Sequence, residues 1–421
     1  MKMKFAAAGL LAALLSGTAF AAEGPIPEGV PHLEHVWVIM MENHGYGQII
    51  GNPDAPFINA EAASANLATN YFAVAHPSLT NYLEMNGGSN FGVLDDNSPD
   101  WHNASCLNNL QTTVPSLEST STPICPISGF GTDAATPAID YTNETSGPPG
   151  VNNIDGTKSF AAAPGTSGKT IADQLVAKHL TWKSYQENLP LGSADLVNNS
   201  DGVFSNLTNF SAEQNAACQA NSDGGNKPCS SNIVALYAVK HNPFVYFRSV
   251  QEGTGANSLA NVVGFDGANG LFADLRAGGK SVPNYSFIAP DQCNDQHGKS
   301  GQGPFCDADP NDNGTLTGLN PTLMARGDAA VQKIVTAIKA SSAWTKGNDA
   351  IVIVWDEDDY SISPTVNKVA AIVDTNYGAH GGQSNEFYTH FALLKTLEAG
   401  FGLPCLNHAC DSSATVMSDL F

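Results

Sequence analysis

His35-Val36-Trp37-Val38-Ile39-Met40-Met41, followed at once by Glu42-Asn43-His44-Gly45, is the stretch on which the fold turns. A short, mostly apolar run, rich in β-branched residues and without polar alternation, reads as a strand covered on both faces, the signature of a parallel sheet. Val245-Tyr246-Phe247, Tyr285-Ser286-Phe287-Ile288 and Ala350-Ile351-Val352-Ile353-Val354-Trp355 have the same character. Thr170 to His179, Ser230 to Lys240 and Asn269 to Leu275 read as helices between them, so strands and helices alternate as in an α/β sandwich.

Composition sets the outer bounds. A hydrophobic content of 42% fits a globular chain, and a net charge of −22 argues against a nucleic-acid partner. Met1-Lys2-Met3-Lys4, an apolar run to Leu15 and the closing Ala19-Phe20-Ala21 read as a signal peptide over residues 1–21. The expected protein is therefore secreted or periplasmic, with no membrane anchor. Residues 22–421 are expected to form a single domain with surface insertions around 87–168 and 199–226, where Gly, Pro, Ser, Thr and Asn dominate. The eight cysteines invite local disulfides: Cys106 with Cys125, Cys218 with Cys229, Cys293 with Cys306 and Cys405 with Cys410.

Ligands gather at the carboxyl ends of parallel strands, so polar residues immediately after the apolar runs carry weight. Glu42 and Asn43 follow the first run, Asp291, Asp295 and His297 follow the Tyr285 run, and Asp356 to Asp359 follow the Ala350 run, with His380 and His390 later. Carboxylates and a carboxamide converging from separate strands would hold a hard or borderline divalent cation; singly, such acids also serve as helix caps. His76-Pro77-Ser78-Leu79-Thr80-Asn81 places Ser78 in the first turn of a helix. There the backbone N–H groups favour phosphate and a nearby cation favours an ionised hydroxyl; the plainer alternative is a capping serine. Asp309-Pro310-Asn311-Asp312-Asn313-Gly314 resembles the start of a calcium loop, but Asn320 stands where the loop needs Glu, which favours a surface turn.

In this order, Glu42-Asn43, Pro77-Ser78-x-x-Asn81, Asp295-x-His297 and Asp356-Glu357 resemble the phosphoesterase family of bacterial and fungal acid phosphatases and bacterial phospholipases C, within the alkaline phosphatase superfamily. Lys240-His241-Asn242-Pro243-Phe244 and Thr389-His390-Phe391 extend the likeness, which runs from about His35 to about Pro404. The resemblance implies an alkaline phosphatase-like three-layer α/β/α sandwich with a mostly parallel central sheet. It further implies Ser78 as a nucleophile that becomes phosphorylated, and Glu42, Asn43, Asp356 and Glu357, with Ser78, as ligands of one or two divalent metal ions. Asn81, His297, Asp295, His241 and His390 would form the phosphate-binding set, with His241 equally open to satisfying a buried backbone group. His297 or His380 would protonate the leaving oxygen.

The substrate expected is a small-molecule phosphate ester or a phospholipid headgroup. Asn81-Tyr82, where phospholipase members carry Asn-Arg, favours the phosphatase branch, a phospholipase C-type phosphodiesterase being the alternative. A sulfatase would need a Cys/Ser-x-Pro-x-Arg motif that is absent, and a non-catalytic binding protein would show broken ligands, whereas the whole set is present.

Overall fold

The computed structural model describes residues 23–93, 95–97, 99, 124–129, 166–189, 236–300, 303–311, 315–358 and 367–421. The deciding stretch is strand β1 (His35–Met41), and all seven residues are buried. It lies parallel to β5 (Tyr285–Ala289) on one side and to β6 (Asp349–Trp355) on the other, with Val38 opposite both Phe287 and Val352. Uniform burial of β1, β5 and β6 explains why their sequences show no alternation: neither face meets water.

The remaining strands are β2 (Asn66–Phe72), β3 (Trp182–Gln186), β4 (Val262–Val263), β7 (Lys368–Thr375), β8 (Gln383–Ser384) and β9 (Tyr388–Thr389). The sheet runs β4-β3-β5-β1-β6-β7-β2-β8, with β9 also paired to β2. Only β7 runs against its neighbours; every other pairing is parallel. The carboxyl ends of β1, β2, β3, β5 and β6 therefore share one end of the sheet.

The helices among the described residues are α1 (Tyr46–Ile49), α2 (Pro56–Ser64), α3 (Ser78–Gly87), α4 (Ile171–Ala177), α5 (Arg248–Gln251), α6 (Leu271–Ala277), α7 (Pro321–Ala340) and α8 (His390–Phe401). Six of them form two mutually packed sets, α3 with α4 and α8, and α2 with α6 through α7, which clothe the sheet as an α/β/α sandwich. In α7 the apolar face of Leu323, Val331, Ile334, Val335 and Ile338 is buried, and Asn320 caps the helix by accepting from the N–H of Thr322 and Leu323. Asn320 thus has a structural duty in the segment that resembled a calcium loop. Asp309 is equally engaged, by the Asn320 N–H at 2.6 Å and by His44 at 2.8 Å; residues 312–314 lie outside the described set.

Two expectations need correction. Val245-Tyr246-Phe247 is not a strand: Pro243–Tyr246 is a buried 3₁₀ turn, entered through Pro243. A three-residue apolar run cannot distinguish the two by periodicity, and proline fixes the φ that opens a helical turn. Ser230 to Lys240 is not a continuous helix either, since Leu236 to Ala238 are irregular and a 3₁₀ turn begins at Val239; residues 230–235 lie outside the described set.

Gly88 closes α3 in the left-handed conformation at φ 71°, donating its N–H to Glu84 O at 2.8 Å. A Cβ there would lie 2.4 Å from the Leu406 carbonyl oxygen, so both the conformation and the close approach require glycine. Of the expected disulfides, Cys293–Cys306 and Cys405–Cys410 are formed. Cys106, Cys218 and Cys229, like most of the two expected insertions, lie outside the described residues.

In α8, Glu398 is fully buried; Oε1 accepts from Leu406 N–H at 2.8 Å and Oε2 has no hydrogen-bond partner among the described residues. Burial pushes this carboxyl well above the usual range, against the smaller opposing effects of the Leu406 bond and Lys395. The folded protein therefore keeps a proton that the unfolded chain releases above the ordinary carboxylate pKa, and stability falls as pH rises past that point. Glu398→Gln should raise Tm on the order of 2 °C at neutral pH and leave it unchanged at about pH 3, where both states are protonated. Thermal melts across that range read this directly, and a pH-independent difference would contradict it.

Candidate active site

The end of the sheet where β1, β2, β5 and β6 finish carries the chemistry. Met41 pairs with Trp355, so the next residues out, Glu42 and Asp356, emerge side by side. Asn43 takes a left-handed turn at φ 52°, which Asn tolerates, and its N–H donates to Asp356 Oδ1 at 3.1 Å. From β2 the chain runs through His76 and Pro77 into α3, which brings Ser78 to the same place.

Ser78 is buried, and its Oγ lies 3.1 Å from Glu42 Oε2 and 3.0 Å from Glu357 Oε1. One hydroxyl proton faces two carboxylate acceptors. Tyr82, one turn further along the same helix face, donates to Glu42 Oε1 at 2.5 Å. The Asn43 carboxamide completes the group: with its nitrogen turned inward it donates to Glu42 Oε2 and Glu357 Oε1, both at 3.2 Å.

Four acids in one dry space set the electrostatics. Burial pushes Asp356 well above the usual carboxylate range, and the charges of Glu42 and Glu357 add to it; Glu357 is raised by burial too, against His76. Glu42 goes the other way: burial opposes its charge, but His241, Lys240 and His297 more than offset this and hold it well below the usual range. Burial raises Asp295 to about 7. Asp356 Oδ2 has no hydrogen-bond partner among the described residues. An unpartnered oxygen among mutually repelling carboxylates, with a carboxamide and a hydroxyl beside it, is the donor set that a divalent cation satisfies. Glu42, His241 and His297 also offer ligand atoms within 4.8 Å of one another, a possible metal-binding cluster that shares Glu42 with the first set.

Of the remaining candidates, His297 stands at the mouth, half-buried, donating from Nδ1 to Gly298 O at 2.7 Å and presenting Nε2 to Lys240 Nζ at 3.2 Å. Burial and the Lys240 charge depress it to about 4, so it is neutral. Several expected phosphate contacts are elsewhere employed. Asn81 accepts from the N–H groups of Val74 and Ala75 and donates to Ala75 O and to Glu357 Oε2 at 3.3 Å, stapling the β2–α3 turn to the carboxylate group. His390 is wholly buried, with Nε2 on Asp356 O at 2.6 Å and Nδ1 2.9 Å from Tyr71 Oη; it fixes the Asp356 backbone.

His241 lies between Glu42 (2.9 Å) and Asp295 (3.2 Å), stacked on Tyr82 at 5.2 Å. Burial disfavours its charge, but the two carboxylates raise it to about 9. Both its nitrogens face carboxylates and neither is left for phosphate. Asp295, buried beside it, accepts the His297 N–H and cannot attract an anion. His380 is not in the site at all. It is exposed, next to Gly381, which bonds Ala65 O at the amino end of β2. The reversed direction of β7 carries the chain to the opposite end of the sheet before His380 is reached.

Sequence reading passed over three side chains. Lys240 donates toward Ser78 Oγ (3.3 Å) and Asp96 Oδ2 (3.0 Å). His76 bridges Glu357 (2.8 Å) and Asp358 (3.4 Å); burial opposes its charge, yet these acids raise it to about 10. Tyr82 was detectable from its spacing of four from Ser78 on a helix, whereas Lys240 and His76 have no signal beyond proximity to quoted motifs. A cleft lined by Glu23, Lys169, Asp173, Arg248 and Glu252 lies apart from this site; Lys169 pairs with Glu23 and Arg248 with Glu252, while Asp173 accepts from Thr170 and Asn257.

A buried serine lies between carboxylates at the strand ends of an α/β sandwich, and the chain belongs to the Phosphoesterase family, whose pattern matches residues 52–303. It is a hydrolase acting on phosphoric esters. Among its relatives, a phosphatidylinositol-3-phosphatase of Mycobacterium tuberculosis is 23% identical over 96% of this chain and 90% of that protein. An acid phosphatase of Aspergillus fumigatus is 23% identical over 87% of this chain, and a phosphate-repressible acid phosphatase of Penicillium chrysogenum 24% over 81%. The chain spans 55% and 53% of those two fungal proteins. A solved Vibrio parahaemolyticus protein of the alkaline phosphatase superfamily aligns with a TM-score of 0.45 and 11% identity, over 92% of this chain and 72% of that one. The matched family span includes Ser78, Lys240, His241, Asp295 and His297, while Glu42 and Asp356 flank it.

Proposed function

We propose that this chain is an exported, metal-dependent phosphomonoesterase that transfers the phosphoryl group to Ser78 and then to water. The observation that carries the reading is the Ser78 hydroxyl between Glu42 and Glu357 at 3.1 and 3.0 Å. Either carboxylate can accept the proton as Oγ forms its bond to phosphorus and the ester P–O bond breaks, the alcohol leaving with a proton from solvent. A divalent cation held by Glu42, Asn43, Asp356 and Glu357 would favour the ionised Ser78 oxygen and neutralise phosphoryl charge. His297, neutral at the mouth, holds Nδ1 on Gly298 O at 2.7 Å and Nε2 3.2 Å from Lys240 Nζ, and so lines the approach of the water that cleaves the phosphoserine.

Relatives named as phosphatases support the monoester reading, and the two described disulfides support export, since such bonds persist in oxidising compartments. No helix among the described residues is long and apolar enough to cross a membrane.

The test is hydrolysis of p-nitrophenyl phosphate and p-nitrophenyl phosphorylcholine with and without EDTA. The expected result is monoester turnover that EDTA abolishes and added divalent cation restores. A preference for the phosphorylcholine diester would move the assignment to a phospholipase C-type enzyme, and turnover indifferent to EDTA would remove the metal from it.

A further inference from the structure

Lys240 is the only cationic side chain among the described residues that hydrogen-bonds Ser78. We propose that Lys240 is a further catalytic residue, one that selects a doubly charged phosphoryl group and so makes the site prefer phosphomonoesters to phosphodiesters; this rests on the reading of Ser78 as the nucleophile.

The ammonium group has three donors and three acceptors around it: Ser78 Oγ at 3.3 Å, Asp96 Oδ2 at 3.0 Å and His297 Nε2 at 3.2 Å. Its position is therefore fixed. Asp96 also accepts the Leu79 N–H at 3.1 Å through its other oxygen, which ties the ammonium to the same first helical turn that carries Ser78. The Lys240 side chain is 14% exposed, so it stands at the mouth, while Glu42 and Glu357 close off the floor.

A phosphoryl group attacked by Ser78 Oγ must place its non-bridging oxygens within contact distance of a cation this close to the nucleophile. A monoester brings two negative charges to that position and a diester one. The carboxylate floor repels both, and the dianion more strongly, so a fixed positive charge on the open side matters most for the monoester.

The experiment compares kcat/KM for p-nitrophenyl phosphate and bis(p-nitrophenyl) phosphate, which share a leaving group, in the wild type, Lys240→Met, Lys240→Arg and Ser78→Ala. Lys240→Met should lower monoester turnover by about 100-fold and diester turnover by less than about 10-fold. The monoester-to-diester ratio then falls at least about tenfold, while Lys240→Arg, retaining the charge, keeps the ratio within about threefold. A parallel loss on both substrates in Lys240→Met overturns the proposal. Should that variant lack a cooperative thermal transition, Lys240→Gln gives the same comparison. The Ser78→Ala arm separates the two readings: if it stays active the nucleophile assignment fails, whereas an inactive Ser78→Ala with an unchanged ratio at Lys240 sinks only this inference.

Discussion

Ser78→Ala is expected to lower kcat/KM for p-nitrophenyl phosphate by about 10⁴-fold or more, because the reaction then has no oxygen to carry the phosphoryl group. Nothing nearby can substitute. Tyr82 Oη is bound to Glu42 on the far side of the carboxylate, and burial, reinforced by Glu42, keeps its proton on to far above neutral pH. The substitution also removes the hydroxyl donor between Glu42 Oε2 and Glu357 Oε1 and leaves those two oxygens to the Asn43 carboxamide, so it should cost about 1 kcal/mol of stability in the cation-free protein. Steady-state kinetics should be joined to acid quenching of the turning-over enzyme and mass spectrometry of the peptide beginning near Ser78. A phosphorylated peptide in the wild type and none in the variant is the expected pair. Residual turnover within about tenfold of wild type would remove Ser78 from the mechanism.

Asp356→Asn should produce effects of opposite sign on activity and on stability. The wild-type carboxyl is raised by burial and by Glu42 and Glu357, and its Oδ2 has no hydrogen-bond partner among the described residues. In the cation-free protein a carboxamide removes that repulsion, keeps an acceptor for the Asn43 N–H and adds donors toward Glu42. Tm in EDTA should therefore rise, on the order of 2 °C. With divalent cation present the ranking reverses: a ligand charge is missing, binding weakens, and kcat/KM falls by about 10³-fold. The discriminating observable is the cation-induced rise in Tm, large in the wild type and nearly absent in the variant. A wild-type Tm indifferent to Mg²⁺, Mn²⁺, Zn²⁺ and Ca²⁺ would argue that the carboxylate cluster serves something other than a metal.

Both predictions concern residues that were visible before any coordinates, and the reason is physical. Glu42 and Asp356 directly follow strands buried on both faces, and an acid where an apolar run ends stands out in sequence. The central strands were legible for the same cause. Asn81 and His390 are visible as residues, but their hydrogen bonds to the backbone are not, because sequence shows that a polar group is near a motif and not whether the backbone has already claimed it. His380 was lost to topology: the reversal of β7 carries no local signature. Lys240 and Asp96 come together from segments 144 residues apart, and nothing local announces such a meeting.

The in-step pairing of Met41 with Trp355 bears on how preparations of this protein should be judged. Side chains alternate between faces along a strand, so sliding β1 by a single position against β6 would swap the sides of its seven residues and separate Glu42 from Asp356. A chain trapped that way could be compact, sheet-rich and indistinguishable by circular dichroism, yet catalytically silent. Turnover per mole, titrated against the fraction of chains that form phosphoserine, would then count correctly threaded molecules, and refolding yield measured by spectroscopy would overstate it.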